Sequence, residues 1–310
     1  MAGKYYLAYV SPSNYKLGGP GSSPVDPTFI AVPTSRYGDA SDGALHFDGS
    51  STVAGLWTPV GGIYTLTRPC FASTCLIDAG VTVKVASWPM LGQVSLINNG
   101  IIDDSGVNGV GSTGVGGNNP AGMYSARIGG NGQSGAGAIG TGGAGFNCGS
   151  SGAGGAGSSG AAGPGSSPSS ATNPRWPYRM IDPLYTGTVQ FGSTTRFLGG
   201  TPGGGGGGGD GSVKGGGGAS SGGLIFTAFP DITNNGVIQA IGGNGGSPGS
   251  GNAGGGGGGA GGNYVALTLE DLINNGTFVF THGNGGAGSG TGAAGANGTD
   301  GNVWLPLKLH

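Results

Sequence analysis

The groups in this chain that could do chemistry are few: three histidines, thirteen acidic residues and three cysteines in 310 residues. His46 lies on an alternating apolar segment, His282 beside a glycine-rich one, and His310 at the last position. None has a Cys, Ser or second His at the spacing that nucleophilic catalysis needs. Glycoside hydrolysis would need two carboxylates across a cleft, whereas most acids here fall in turn-forming clusters. Asp103-Asp104 reads as a turn, and Glu270-Asp271 as turn or strand-edge residues. Asp39 and Asp42 could ligate calcium, but the cluster Gly38-Asp39-Ala40-Ser41-Asp42-Gly43 reads more simply as a turn. Gly203 to Lys214 evokes a phosphate loop but lacks the Gly-Lys-Ser/Thr ending, and it is too glycine-heavy to start a helix. Cys70, Cys75 and Cys148 are too few for a disulfide framework and have no four-ligand zinc spacing; the first two read as small buried apolar residues. The expectation is a protein that is not an enzyme and uses neither cofactor nor metal.

The elements that must position any functional residue are set by glycine, which supplies 80 residues of the chain. Charged residues are only 8% and the net charge is −2, so no basic field exists to hold nucleic acid or anionic lipid. A strict Gly-X-Y period is absent, which excludes collagen. Disordered segments are usually charged; these runs are not, and apolar blocks recur between them. Ordering a glycine run costs roughly 1–2 kcal/mol per residue. Dense backbone hydrogen bonding must offset that loss. Side-by-side packing of three-residue-per-turn helices, the polyglycine II form, would supply it, because backbones without Cβ atoms can satisfy one another's N–H and C=O groups. Met1 to Val10 is too short for a signal peptide, and no apolar run of about 20 residues could span a membrane. We therefore expect synthesis in a cytoplasm and no membrane insertion.

Five segments follow. Residues 1–36 are punctuated by Pro, Ser and Gly and read as an N-terminal attachment arm, with Tyr5, Tyr6, Tyr9 and Tyr15 as candidate docking residues. Residues 37–106 form the strand scaffold: Ala44-Leu45-His46-Phe47, Ile63 to Arg68, Leu76-Ile77-Asp78 and Val81 to Val85 show period two, and Asp48-Gly49 is a hairpin-type signal. Residues 107–168 are a first glycine-rich excursion containing Tyr124. Residues 169–198 break the pattern with Trp176, Tyr178, Arg179 and Tyr185, types enriched at binding hot spots; the segment reads as a contact surface or as a clasp across the glycine layer. Residues 199–310 alternate polyglycine layers with strands and close on a capping strand. One unit recurs through the chain: Ile97-Asn98-Asn99-Gly100, Thr233-Asn234-Asn235-Gly236 and Ile273-Asn274-Asn275-Gly276, each followed by a short strand and a glycine-rich stretch. Turns about 20 residues apart suggest an all-β, β-solenoid-like scaffold, with a β-sandwich as the competing reading. In either, the glycine-rich excursions are inserted and packed as polyglycine II helices.

The run Gly-Asp-x-Ser-Asp-Gly, then Tyr-Thr-Leu-Thr-Arg, Ile-Asp-Ala-Gly-Val-Thr-Val and Ile-Asn-Asn-Gly-Ile-Ile, with the later Gly-Gly-Asn-Gly-Gly and polyglycine runs, resembles glycine-rich virion proteins of tailed bacteriophages. It also resembles the polyglycine II adhesins at the tail-fibre tips of T-even-like phages, over residues 37 to 303. That resemblance implies a layered glycine lattice whose linking loops contact a host outer-membrane receptor. It implies a structural protein located in the virion and assembled in the host cytoplasm, most simply a tail-associated adhesin, with a capsid decoration or head-fibre protein as the alternative. The implied partners are other virion proteins of tail or capsid, a host cell-surface receptor and, in a homo-oligomer, further copies of the chain. Tyr124, Trp176, Tyr178, Arg179 and Tyr185 become receptor-contact candidates, and Tyr5, Tyr6, Tyr9 and Tyr15 virion-docking candidates. In this chain the glycine excursions interrupt strand units, unlike a simple adhesin tip.

Overall fold

A computed structural model describes residues 37–111, 113–119, 127–128, 131, 152, 154–157, 213–270 and 272–308. The strands are β1 (Gly43–Phe47), β2 (Ile63–Thr65), β3 (Cys70–Ile77), β4 (Thr82–Lys84), β5 (Met90–Asn98), β6 (Ile101–Asp103), β7 (Asn118–Asn119) and β8 (Arg127–Ile128). After them come β9 (Leu224–Ala228), β10 (Asp231–Asn234), β11 (Val237–Gln239), β12 (Asn263–Thr268), β13 (Ile273–Asn274), β14 (Thr277–Val279) and β15 (Val303–Lys308). One sheet runs β1-β3-β5-β9-β12-β15, with β10 and β13 added beside β5, and a second runs β14-β11-β6-β4-β2. Every strand pair in these two sheets is parallel. Among the described strands only the short pair β7–β8 is antiparallel.

This corrects the expected all-β scaffold, β-solenoid-like or sandwich. The strands form two parallel sheets. Parallel pairing is the habit of α/β proteins, whose crossovers are usually helices. Among the described residues there is no α-helix; β1, β3 and β5 are joined through β2 and β4 of the second sheet, and extended glycine-rich segments lead from β11 to β12 and from β14 to β15. The physical reason for the misreading is local: the Gly-containing turns do not fold a strand back on itself. Asp78-Ala79-Gly80, Asn99-Gly100, Asn235-Gly236 and Asn275-Gly276 each lead from a strand of the first sheet into a strand of the second. The same turn chemistry serves a corner between sheets and a hairpin. The Asp48-Gly49 signal is likewise no hairpin, because β1 pairs in parallel with β3.

The apolar alternation fills the space between the sheets. Leu45, Cys75, Leu96 and Ile232 lie in register on the first sheet, and Tyr64, Val83, Ile102, Ile238 and Phe278 on the second. Both rows belong to one contiguous core. Each fully buried Leu, Ile or Val contributes about 1.5–3 kcal/mol relative to exposure. Phe47 meets Tyr64 edge-on at 5.0 Å, and Trp57 lies 6.2 Å from Phe47. Strands β9 and β12 are buried on both faces, as parallel strands usually are; Leu224, Phe226, Val265 and Leu267 belong to a second cluster with Tyr37 and Leu91.

The β1 end of the core is closed by polar clamps. Asp48 Oδ1 accepts the N–H groups of Ser50 and Ser51 at 2.8 and 2.7 Å and lies 3.1 Å from the Tyr64 hydroxyl. Asp42 accepts both guanidinium nitrogens of Arg68 and the Phe71 N–H at 2.8 Å, while Arg68 stacks over Trp57 at 5.2 Å. Partial burial opposes ionisation of Asp42, but the Arg68 and Phe71 donors outweigh it and hold its carboxyl below the usual range. The Ser51 and Ser50 N–H groups do the same for Asp48. Carboxylates with lowered folded-state pKa values add stability that is complete above the ordinary aspartate value of about 3.9 and is lost as pH falls through the lowered values. Aromatic circular dichroism is therefore expected to stay constant from neutrality to about pH 5 and to collapse only below about pH 4. A transition centred near pH 6 would refute these clamps.

Candidate functional site

The glycine-rich segments build a lattice from the backbone upward. The N–H groups of Gly255, Gly258 and Gly261 donate to the carbonyls of Ala293, Ala296 and Thr299 at 3.0, 3.0 and 2.9 Å. Those of Gly256, Gly259 and Gly262 donate to Gly246, Gly243 and Ala240 at 2.9, 3.0 and 2.7 Å. The carbonyls of Gly254, Gly257 and Ala260 accept from Gly216, Ala219 and Gly222 at 2.9, 3.0 and 3.0 Å. Every third residue thus faces the same neighbour, which is the geometry of an extended chain with three residues per turn. Such a chain makes no internal hydrogen bonds, so its polar groups are satisfied by the chains around it. Residues 253–262 are buried throughout.

The outer chain shows why glycine is required at one position in three. A Cβ at Gly292, Gly295, Gly298 or Gly301 would press on the carbonyl of Ala253, Gly256, Gly259 or Gly262 in turn. The residues between them, Ala293, Ala294, Ala296, Asn297, Thr299 and Asp300, are exposed. This period of three was present in the sequence and is the signal by which the outward-facing residues could have been found. The exposed face is small and polar, with His282 bridging to it: His282 Nδ1 lies 2.6 Å from Asp300 Oδ1, which also accepts the His282 N–H at 2.9 Å. Those donors lower the Asp300 carboxyl below its usual range.

The lattice springs from the sheets at a buried polar junction. Ser87 Oγ donates to Asp104 Oδ2 at 2.7 Å, and the Asp104 carbonyl accepts the Gly223 N–H at 2.8 Å. Asp103 Oδ1 accepts from Ser105 Oγ and Gln239 Nε2 at 2.6 and 3.1 Å, and Ser105 Oγ accepts the Ile241 N–H at 3.1 Å. Asp103 and Asp104 are 8% and 4% exposed, and Asp103 ends β6. The reading of this pair as a turn is therefore corrected: it is the hinge-pin between sheet and lattice. From Ala240 to Ser247 the chain travels about 22 Å at roughly 3.1 Å per residue.

At the far end the segments reverse direction side by side. Val110 donates to the Val115 carbonyl at 2.8 Å, leaving both side chains exposed, at 45% and 51%. Ser247 Oγ accepts the Ala287 N–H at 2.9 Å, Ser289 Oγ donates to the Ser250 carbonyl at 2.9 Å, and Asn252 Oδ1 accepts the Thr291 N–H at 2.8 Å. Asn252 sits at φ 49°, a left-handed conformation that Asn tolerates better than most residues. The arrangement offers rigid presentation of short side chains on neighbouring turns.

The residues proposed from sequence, Tyr124, Trp176, Tyr178, Arg179 and Tyr185 for receptor contact and Tyr5, Tyr6, Tyr9 and Tyr15 for docking, lie outside the described residues. His46 Nε2 lies 2.8 Å from Asp78 Oδ2, an exposed pair away from the lattice. Cys70 and Cys75 are free and buried, and burial pushes the Cys70 thiol up to about 12. Among the described residues no three His, Cys, Asp or Glu gather as a metal site, and no helix is long and apolar enough to cross a membrane. The chain matches no protein-family model, and comparison with curated proteins and with solved structures finds no significant match.

Proposed function

We propose that this chain is a structural protein of a tailed-phage virion surface, a tail-associated adhesin that carries receptor-binding loops on a stiff glycine lattice. The observation that carries the reading is the construction of the lattice. Its interior is backbone bonded to backbone, it stands away from the strand scaffold, and its turns end together at the far side. Such a slab keeps contact residues in place without side-chain packing of its own. Pre-set geometry spares binding the cost of ordering loops. In this reading the segment 1–36 docks on other virion proteins, and Trp176, Tyr178 and Arg179 supply the anchors on the host receptor.

Purified protein is expected to compete with phage for adsorption to sensitive cells. The double substitution Trp176→Ala, Tyr178→Ala is expected to cost roughly 30-fold or more in competing affinity, since one hot-spot truncation costs about 2 kcal/mol or more. Immunogold labelling should mark the tail in a handful of copies. Labelling spread over the head, with adsorption indifferent to the purified protein, would replace the adhesin by the capsid decoration or head-fibre reading.

A further inference from the structure

The three Asn-Asn-Gly units stack one on another with a direction. Asn98 Nδ2 donates to Asn234 Oδ1 and Asn234 Nδ2 to Asn274 Oδ1, each at 2.7 Å. The second asparagines run the opposite way: Asn275 Nδ2 donates to Asn235 Oδ1 and Asn235 Nδ2 to Asn99 Oδ1, each at 2.9 Å. The backbone follows the direction of the second asparagines. Asn235 and Gly236 donate to the Asn98 carbonyl at 2.7 and 3.0 Å, and Val237 to the Gly100 carbonyl at 2.8 Å. One unit on, Asn275 and Gly276 donate to the Asn234 carbonyl at 2.8 and 2.9 Å, and Thr277 to the Gly236 carbonyl at 2.9 Å. In the backbone, each unit donates to the one before it and leaves its own turn carbonyls for the next.

The third unit is followed by nothing of this kind among the described residues. β13 pairs only with β10, and β14 only with β11. Ile273 is 54% exposed, Asn274 and Asn275 are exposed, and Asn274 Nδ2 reaches only the Gly276 carbonyl of its own turn, at 3.5 Å. The opposite end of the core is closed instead: Val53 and Trp57, in the loop after β1, are 5% and 1% exposed. Among the described residues, Val53 and Trp57 thus cover one end of the core, while β13 and β14 present an unpaired, polarised edge.

We propose that the edge Ile273–Val279 is a docking site for an extended strand–Asn-Asn-Gly–strand segment of a partner chain, which adds in parallel register as a fourth unit. The two preceding steps specify what the segment must carry. Its first Asn supplies the Oδ1 that Asn274 Nδ2 lacks, and its second Asn supplies the Nδ2 that Asn275 Oδ1 lacks. Its Asn and Gly N–H groups meet the Asn274 carbonyl, and the next N–H meets that of Gly276. Glycine is obligatory in the third place, because a Cβ there would collide with a carbonyl, as one at Gly236 would with Gly100 and one at Gly276 with Gly236. The second residue after that glycine must be apolar to continue the row Ile102, Ile238, Phe278. Strand addition of this type takes affinity from the main chain and specificity from alternate side chains. A second copy of the chain does not fit. Its own third unit presents the same turn carbonyls rather than donors, and its other end is closed by Trp57.

The probe is a labelled synthetic peptide, Leu-Ile-Asn-Asn-Gly-Thr-Phe-Val-Phe with a lysine tail, titrated into the full chain and followed by fluorescence anisotropy. Saturable binding is expected, weakened at least about tenfold when the peptide glycine is changed to alanine or the chain carries Ile273→Lys. Ile273 is exposed, and an unchanged circular dichroism spectrum would show that the variant still folds. Absence of saturable binding, or equal binding of the alanine peptide, would overturn the proposal. So would a sedimenting dimer of the chain that Ile273→Lys dissolves, since that would give the edge to a second copy.

Discussion

Gly258→Ala is expected to unfold the lattice, with a loss of more than about 4 kcal/mol or no recoverable folded protein. Gly258 donates to the Ala296 carbonyl at 3.0 Å, and its own carbonyl accepts the Gly152 N–H at 3.0 Å. A Cβ there would drive into the Gly283 carbonyl, with the Gly283 carbonyl carbon at 2.6 Å and that of Asn284 at 2.9 Å. Overpacking in an ordinary core costs about 1–3 kcal/mol because side chains turn aside. Here every atom in the way is backbone, already bonded to further chains. Relief would have to move whole segments and break their hydrogen bonds together. Gly249→Ala is the control: it has nothing within 4 Å of its would-be Cβ and no positive φ. That change is expected to stay within about ±0.5 kcal/mol. Urea midpoints of the two variants decide the matter, and equal midpoints would mean that these chains are not in contact. Amide exchange of Gly255, Gly256, Gly258 and Gly259 should be slow in the parent and fast in Gly258→Ala.

Such a difference could not be read from composition, because Gly249 and Gly258 are the same residue in similar surroundings along the chain. What the sequence does show is local. The alternation in Ala44–Phe47, Leu76-Ile77, Val81–Val85 and Val94–Ile97 marks strands, and the Asn-Asn-Gly turns end three of them where the structure places a corner. Pairing is not local. A turn that joins two sheets and one that folds a hairpin use the same residues, so the sequence alone suggests an all-β solenoid or sandwich rather than two parallel sheets. The spacing holds for part of the stack only. Around Gly80 and Gly100 the strands lie side by side at steps of about 20 residues, as the pairs Ile63–Thr82, Thr82–Ile101 and Ile77–Asn98 show, whereas the glycine-rich segments stretch the later steps to 136 and 40 residues, as in the bonds Asn98–Asn234 and Asn234–Asn274. Asp103 and Asp104 looked like turn residues because acids usually stay in water. They are buried because Ser87, Ser105 and Gln239, distant in sequence or hidden by bland type, supply their donors. Of the candidate site, the sequence pointed to aromatics and arginine outside the described residues. The exposure of Val110 and Val115 and the every-third-residue glycines of the outer chain do not stand out until the neighbours are known.

Asn234→Ala carries the second large effect and tests whether the asparagine stack holds the sheets in register. Asn234 and Asn98 are both fully buried. Truncation removes the acceptor of Asn98 Nδ2, which keeps only the Val237 carbonyl at 3.2 Å, and the donor to Asn274 Oδ1. A buried polar group left without its partner costs about 1–3 kcal/mol. A loss of about 2–4 kcal/mol is expected at Asn234, against less than about 1 kcal/mol for Asn235→Ala, whose ladder is exposed and can be replaced by water. Denaturant unfolding of the two variants gives the comparison. A double-mutant cycle with Asn98→Ala then separates the pair from the cavity, and a coupling below about 0.5 kcal/mol would mean that the side chains merely fill space. The register claim goes further than stability. A parallel stack slipped by one residue would turn Leu96 and Ile232 to the outside, so the buried amides, which bond to their counterparts in the next unit, oppose that slip more specifically than the apolar rows can. If Asn234→Ala proves costly while Asn235→Ala does not, alignment of the glycine lattice rests on the buried ladder, because Asn98, Asn234 and Asn274 fix the corners from which each glycine segment departs.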